Sequence, residues 1–277
     1  MPEDRSHVTG LLRYARTEDV TLSQNAAHGL AARHALTHYP SGAIYSFIPK
    51  NACSTLRYSL ALANNCIAGA EDWTWIHLNN GTFAASLSEL VRAPFSFTVL
   101  RCPHARLASV FLDKIVDKTP ELWQLHRLTR DGFDPDRLSF RDFVQLLEQP
   151  NLLSSNIHWR PQQDFLVYDR YSRVFALERF AEAIPVLRDE IGFEVQDARA
   201  LTGHGTDRLT QIETGDFADL PLIKLADLKR GGRLPAHDRL YDADLARRVA
   251  DLYAADLALY AGHLDPRMLS FPDLLPT

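Results

Sequence analysis

The chain has 277 residues, of which 46% are hydrophobic and 23% charged, and its formal net charge is −5. This length allows one large domain or two small ones with a substantial buried core. The acidic balance argues against a general nucleic-acid-binding protein, which usually presents a basic contact face. A local cationic pocket stays open, because an anion site needs only a few residues.

The N-terminal residues lack the charged-then-apolar order of a secretory signal. No run of about 18 apolar residues occurs that would span a bilayer. The three cysteines, Cys53, Cys66 and Cys102, are widely spaced and contain no CxxC pair. We therefore expect reduced thiols in a cytoplasmic protein.

Periodicity and turn residues predict strands alternating with helices along most of the chain. Residues 1–40 are interpreted as a lead-in with a short Ala-rich helix over 28–38. Buried strands are predicted at 43–48 and 95–100, and a third strand at 173–178. Helices are predicted at 54–63, 103 to about 118, 138–147, 180–191 and 242–261.

Terminal residues support these helices: Ser139 and Asp242 are N-cap types, while Gly192 and Gly262 follow the expected ends. Residues 197–240 are rich in Gly, Asp, Thr and Pro and are predicted as a loop or lid region. The alternation predicts a three-layer α/β/α fold with a central parallel sheet, as a single domain over residues 1–277. In such a sheet, ligands bind at the carboxyl ends of the strands.

Two strand-to-helix junctions carry the chemistry, and the first is Ile-Pro-Lys-Asn-Ala-Cys-Ser-Thr-Leu over 48–56. Such a turn offers backbone N–H groups and the positive end of a helix dipole. Lys50 adds a charge, and Ser54 and Thr55 add hydroxyl donors, so the junction predicts a phosphate site. An ATP or GTP P-loop is disfavoured because no glycine lies between residues 43 and 68. The alternative is an ordinary helix start capped by Ser54 or Thr55.

The second junction is Arg-Cys-Pro-His-Ala-Arg-Leu-Ala-Ser over 101–109. Arg101 leaves the end of a strand, and Ser109 lies within the first turns of the next helix. A guanidinium and a hydroxyl placed in this way could converge on one phosphate. For Arg106 we expect a surface position or an ion pair rather than a phosphate contact.

Together the junctions resemble the 5′-phosphosulfate and 3′-phosphate motifs of sulfotransferases that use 3′-phosphoadenosine 5′-phosphosulfate (PAPS), most closely the carbohydrate-directed branch. The departures are Cys102, where an acidic residue is usual, and Val110-Phe111, where Ala-Tyr is common. The His-Trp-Arg-Pro-Gln run within 156–162 and the stretches 174–180 and 252–257 resemble later segments of the same branch. The resemblance covers about residues 43 to 262 and weakens over 197–240.

The resemblance implies a P-loop-like fold and sulfuryl transfer from PAPS to a hydroxyl of a glycan or glycosylated small molecule, with no nucleic-acid partner. A metal is not demanded, because a sulfuryl group carries less charge than a phosphoryl group. Lys50 would stabilise the leaving group. The donor site would consist of Lys50, Asn51, Ala52, Cys53, Ser54, Thr55, Arg101 and Ser109.

A general base must also take the proton of the acceptor hydroxyl, and an imidazole suits this near neutral pH. His77 is favoured because a catalytic His occupies a similar interval in related glycan sulfotransferases. His158, in the His-Trp run, and Glu178, at a strand end, are the alternatives. Lys229-Arg230 is interpreted as a solvated linker or, less favoured, as a basic loop closing over the 3′-phosphate.

Two other functions stay open: a nucleotide kinase-like enzyme, and a degenerate sulfotransferase relative that only binds a nucleotide or a partner. The absent glycines disfavour the kinase. Intact Lys50, Ser54, Arg101 and Ser109 disfavour the degenerate relative. The sequence leaves the oligomeric state and the identity of the acceptor undetermined.

Overall fold

The computed structural model describes residues 11–15, 20–79, 81–202 and 209–276. The strands are β1 (Ala35–His38), β2 (Ala43–Ser46), β3 (Ser96–Leu100), β4 (Arg173–Ala176), β5 (Thr210–Ile212) and β6 (Arg233–Pro235). The helices are α1 (Ala26–Arg33), α2 (Cys53–Ala63), α3 (Trp75–Leu78), α4 (Leu87–Arg92), α5 (Pro103–Val110), α6 (Pro120–Leu128), α7 (Phe140–Leu147), α8 (Ala183–Ile191), α9 (Arg199–Thr202), α10 (Leu222–Arg230), α11 (Ala243–Leu252) and α12 (Ala254–His263).

The chain forms two compact units, each built from two separate stretches of sequence. Unit 1 consists of Met1–Leu100 and Gln162–Gly203, and unit 2 consists of Arg101–Pro161 and His204–Thr277. A single functional domain over residues 1–277 stays a prediction. None of the three cysteines, all in the described part of the chain, forms a disulfide.

Unit 1 contains a four-stranded sheet in the order β1-β2-β3-β4. β2, β3 and β4 are parallel, as predicted, whereas β1 is antiparallel to β2. The predicted helix over 28–38 was wrong in its second half, because α1 ends at Arg33 and β1 begins two residues later. A short turn containing Gly42, at φ +71°, brings β1 back onto β2, and this pairing overrides the local helical preference.

Apolar residues cover both faces of this sheet. Tyr45 of β2 belongs to a buried cluster with residues of α2 and α8, while its neighbour Ile44 belongs to a second cluster with residues of α1 and α4. Adjacent residues of a strand point to opposite faces, so helices pack on both sides of the sheet. Unit 1 is therefore a mixed α/β layer structure around a mostly parallel sheet.

Unit 2 is mainly helical, and its core is one buried cluster with residues from α5, α6, α7, α10 and α11. α5 continues into a π-helical turn, Phe111–Ile115. The loop predicted over 197–240 was wrong in part: this stretch contains α9, α10 and the parallel pair β5-β6. The charged residues of α10 hid its periodicity, although Leu222 and Leu225 are completely buried.

The predicted final helix is two helices. Tyr253 leaves the helical conformation, with φ −114° and ψ 28°, and separates α11 from α12. The Asp242 cap is confirmed, because its side chain accepts a hydrogen bond from the backbone N–H of Leu245. Gly192 ends α8 at φ +65°, as predicted, but Gly262 lies inside α12. No helix in the described ranges is long and apolar enough to cross a bilayer.

Candidate active site

The loop between β2 and α2 has an unusual backbone. Lys50 has φ +73° and Ala52 has φ +55°, so two residues with side chains occupy the left-handed region. This conformation costs of order 1–3 kcal/mol for such a residue and persists only where the surroundings impose it. Strain of this kind concentrates at ligand-binding sites.

The buried Asn51 side chain imposes the loop conformation. Its Nδ2 donates to the Val99 carbonyl at 2.8 Å and to Gln162 Oε1 at 2.6 Å, all within unit 1. Because a carbonyl can only accept, the orientation of the Asn51 amide is fixed. Its Oδ1 is buried and has no hydrogen-bond partner among the described residues. The loop is thereby attached to the carboxyl end of β3.

The N-terminus of α2 follows this loop and has no side-chain cap. Ala52 occupies the N-cap position, so the alternative in which Ser54 or Thr55 caps the helix was wrong. Both hydroxyls are half-buried, and neither has a hydrogen-bond partner within the part of the chain that the structure describes. Helix N–H groups and hydroxyls at such an N-terminus are groups that can bind an anion.

Arg57 ties the first turns of α2 to α3. Its buried guanidinium donates a hydrogen bond to the Ile76 carbonyl and lies 5.1 Å from the ring centroid of Phe47. It also has a hydrogen bond with the Cys53 side chain. Burial lowers the pKa of Arg57, and the nearby Cys53 opposes this shift. α3 carries His77, so the position of His77 depends on this attachment to α2.

The other two polar candidates of unit 1 are exposed. His77 lies on α3 with its ring edge-on to Trp73, the centroids 5.4 Å apart. Glu178 lies in the turn directly after β4. Since β2, β3 and β4 are parallel, the Lys50 loop and the Glu178 turn follow strands that end at the same edge of the sheet.

The second junction begins unit 2. Pro103 occupies the first turn of α5, as predicted, and Ser109 is half-buried with no hydrogen-bond partner among the described residues. The surface position expected for Arg106 was wrong. Its guanidinium is buried and donates to the carbonyls of Arg160 at 2.8 Å and Ile157 at 3.3 Å.

His158 lies in an environment that the sequence did not indicate. Its Nδ1 is 2.9 Å from Asn156 Oδ1 and 3.3 Å from Glu121 Oε1. Glu121 belongs to the first turn of α6, where an acidic residue is an ordinary helix-start signal. That signal is local and contains no information about the distant His158.

A family model matches most of this chain. The model of the sulfotransferase family matches residues 33–261, which include both junctions and the His-Trp-Arg-Pro-Gln run. The chain belongs to the sulfotransferase family. No curated protein and no solved structure gives a match.

Lys229 and Arg230 of this sulfotransferase are not in a flexible loop. They end α10, where Lys229 Nζ contacts the Leu112 carbonyl at 2.8 Å and Asp117 Oδ2 at 2.7 Å. Arg230 pairs with Asp227. The interpretation of Lys229-Arg230 as a solvated linker was therefore wrong, because both residues belong to a helix. Both cations also have carboxylate partners.

The residues described for this sulfotransferase contain no group of three or more His, Cys, Asp or Glu placed to hold a metal ion. The cations and hydroxyls of the two junctions are the groups whose chemistry suits an anionic ligand.

Proposed function

We propose that this sulfotransferase transfers a sulfuryl group from PAPS to a hydroxyl of a glycan or glycosylated small molecule. The observation that carries the proposal is the opening of α2, where an uncapped helix N-terminus follows left-handed Lys50 and buried Asn51. This arrangement has the donors and the positive potential that an anionic phosphosulfate requires.

The residues fit PAPS by the chemistry of their donors. For the 5′ side of the nucleotide the proposed residues are Lys50, the hydroxyls of Ser54 and Thr55, and the backbone of 51–55, including Asn51, Ala52 and Cys53. For the 3′-phosphate they are Arg101, with a bidentate guanidinium, and Ser109. When bound, PAPS supplies an activated sulfuryl group. Asn51 Oδ1, which is buried and has no hydrogen-bond partner among the described residues, is a further acceptor at the loop.

In this proposal the chain positions the reactants and stabilises charge, as in phosphoryl transfer. Lys50 donates a hydrogen bond to the oxygen that becomes negative as the sulfuryl group departs. A side chain of the protein takes the acceptor proton, and His77, His158 and Glu178 are the candidates. The carbohydrate acceptor is supported by the likeness of the two junctions and of the His-Trp-Arg-Pro-Gln run to the carbohydrate branch.

Calorimetric binding of adenosine 3′,5′-bisphosphate tests the donor site, with ADP and AMP as competitors that lack the 3′-phosphate. We expect micromolar binding by the wild type and a loss of about 10- to 100-fold in Arg101→Ala, since one charge-assisted contact contributes about 1.5–3 kcal/mol. Arg137→Ala, which removes an exposed arginine of the same unit, is the matched control and keeps the affinity.

Other outcomes favour the two alternatives. Equal affinity for ADP and the bisphosphate would indicate a nucleotide kinase-like enzyme. A folded protein that binds none of the three nucleotides would be a degenerate relative, and the proposed transfer would be wrong.

A further inference from the structure

His158 lies in an irregular segment whose backbone is held by a buried cation. Arg106 is 2% exposed and donates to the carbonyls of Ile157 and Arg160, the residue before His158 and the second residue after it. A buried guanidinium that binds two carbonyls is costly to remove, because each carbonyl would lose its partner. The backbone on both sides of His158 is therefore fixed from inside unit 2.

The tryptophan after His158 is fixed as well. Trp159 is completely buried, and its indole N–H donates to the Leu152 carbonyl at 2.9 Å. The buried Tyr253 hydroxyl donates to the Trp159 carbonyl at 2.5 Å. Four hydrogen bonds from buried side chains thus immobilise a segment that has no regular secondary structure. The imidazole of His158 keeps one-fifth of its surface exposed.

The hydrogen bonds of Asn156 determine the tautomer of this imidazole. The backbone N–H of His158 lies 2.8 Å from Asn156 Oδ1, and an N–H can only donate, so that atom is the amide oxygen. The Asn156 amide nitrogen donates to Gln124 Oε1 at 2.6 Å, which agrees with this orientation. His158 Nδ1 therefore faces an acceptor at 2.9 Å and must carry the proton. The lone pair of the neutral ring is on Nε2.

Glu121 places a second acceptor beside the same ring nitrogen, at 3.3 Å. The other carboxylate oxygen of Glu121 accepts a hydrogen bond from the Thr119 hydroxyl at 2.5 Å, which orients it. Burial raises the pKa of Glu121, but the Thr119 hydrogen bond and the charges of His158 and Lys114 outweigh it, so the net pKa is below the ordinary value. Glu121 is thus an anion that favours a proton on His158.

Three cations of the surrounding elements, Lys114, Arg106 and Arg160, have other partners. Lys114 acts on Glu121 and also lies 3.3 Å from Asp113. Arg106 binds the carbonyls described above, and Arg160 donates to the Ser154 carbonyl. Glu121 is a carboxylate of unit 2 in contact with the imidazole, at 3.3 Å.

We infer that Nε2 of His158 accepts the proton of the acceptor hydroxyl and that Glu121 is its positioning residue. This inference rests on the proposed function and selects among its three candidate bases. It uses the arrangement in which a carboxylate orients a catalytic imidazole and stabilises the imidazolium that forms. His77, by comparison, is exposed on a four-residue helix.

The acceptor oxygen forms a new bond to sulfur while its proton passes to Nε2 of His158. The bond between sulfur and the donor's phosphate oxygen breaks, and its electron pair leaves with adenosine 3′,5′-bisphosphate. The imidazolium, stabilised by Glu121, then loses its proton to water, which restores the Nδ1–H tautomer.

Two measurements test the inference. In protein labelled with ¹⁵N in its histidines, the signals assigned to His158 by their loss in His158→Asn must show the Nδ1–H tautomer. The second measurement is the pH dependence of kcat/KM for bisphosphate release from PAPS, with a mixture of oligosaccharides as acceptors. This pH profile must change when His158 is replaced. We expect a fall of about 10²–10⁴-fold in His158→Asn. We expect Glu121→Gln to move the acidic limb to lower pH and to lower the plateau.

Asp142→Asn is the matched control, because Asp142 is also a first-turn carboxylate of a unit 2 helix bonded to a hydroxyl residue, Ser139. We expect it to reduce stability about as much as Glu121→Gln but to leave the pH profile in place. An Nε2–H tautomer, a Glu121→Gln profile like that of the wild type, or loss of the acidic limb in His77→Ala instead would overturn the inference. Wild-type protein that binds no bisphosphate, or releases none from PAPS, would instead overturn the proposed function.

Discussion

Asn51 Nδ2 lies 2.6 Å from Gln162 Oε1, and both side chains are completely buried. The contact joins the loop after β2 to the glutamine that ends the His-Trp-Arg-Pro-Gln run, 111 residues further along the chain. The same nitrogen donates to the Val99 carbonyl. One amide thus connects two distant motifs of the family with the strand between them, and the left-handed loop depends on it.

We expect Asn51→Ala to lower the free energy of unfolding by roughly 2–5 kcal/mol, because the Val99 carbonyl and Gln162 Oε1 would be left buried without this donor. Urea denaturation measures the loss. Gln162→Met keeps a similar volume and leaves the Val99 hydrogen bond in place, so its loss must be smaller. Equal losses in the two variants would contradict the role given to Val99.

Lys50 combines a strained backbone with a proposed role in transfer, and substitutions separate the two. Lys50→Met and Lys50→Gly both remove the ammonium, so we expect transfer to fall about 10²–10³-fold in each. Glycine adopts φ +73° without the steric cost of about 1–2 kcal/mol that a side chain incurs, so Lys50→Gly must be the more stable variant. Transfer rates and thermal denaturation of both variants are the measurements. A less stable glycine variant would show that the Lys50 stem contributes more packing than strain.

His104 makes the stability of the protein depend on pH. Burial lowers the pKa of His104 to about 4, a shift partly opposed by the hydrogen bond of Nε2 to the Ala246 carbonyl. The unfolded chain takes up this proton near pH 6.5, before the folded protein does. Above pH 6.5 His104 is neutral in both states and does not reduce the free energy of unfolding. As the pH falls from 6.5 towards 4, the free energy of unfolding decreases by up to about 3 kcal/mol.

The matched variant is His104→Gln, whose amide can still donate towards Ala246 but does not ionise. Urea denaturation at several pH values must show a flatter dependence between pH 6.5 and 4 in the variant than in the wild type. Parallel curves for the two proteins would mean that protonation of His104 does not cause the loss of stability.

Arg106 fixes the segment that contains His158. A lysine carries its three donors on a single nitrogen and lacks the separate Nη1 and Nη2 that reach the two carbonyls, so we expect Arg106→Lys to lose roughly 1–3 kcal/mol of stability. Hydrogen exchange of the amides of residues 157–160 must accelerate more than that of α7, which the substitution does not touch. Unchanged exchange in that segment would show that Tyr253 and Trp159 are sufficient to hold it.

The strands that could be predicted are those whose sequences carry their own boundaries. β2 and β3 are buried runs with Pro or Gly nearby, whereas β4 is only partly buried. β1 could not be found in this way, because its four residues become a strand only by pairing with β2. The break at Tyr253 was missed for a similar reason: the periodicity continues through it, while the backbone does not.

The residues of the candidate site also differ in how far the sequence predicts them. Lys50 and Arg101 are parts of local motifs, and both junctions are where the sequence analysis expected them. The pairing of Glu121 with His158 and the anchoring by Arg106 join residues that are remote in sequence. No local pattern records such contacts, because they depend on how unit 2 packs.

The order in which the chain is synthesised separates the strands of the sheet in unit 1. β3 pairs with β4 around Ser96 and Ser172, which exchange hydrogen bonds across a separation of 76 residues. While the ribosome adds the first stretch of unit 2, the β4 side of β3 has no partner strand, and Asn51 still lacks Gln162. An open, apolar strand edge recruits other chains. We therefore expect the nascent chain to be most prone to aggregation before residues 162–176 have emerged.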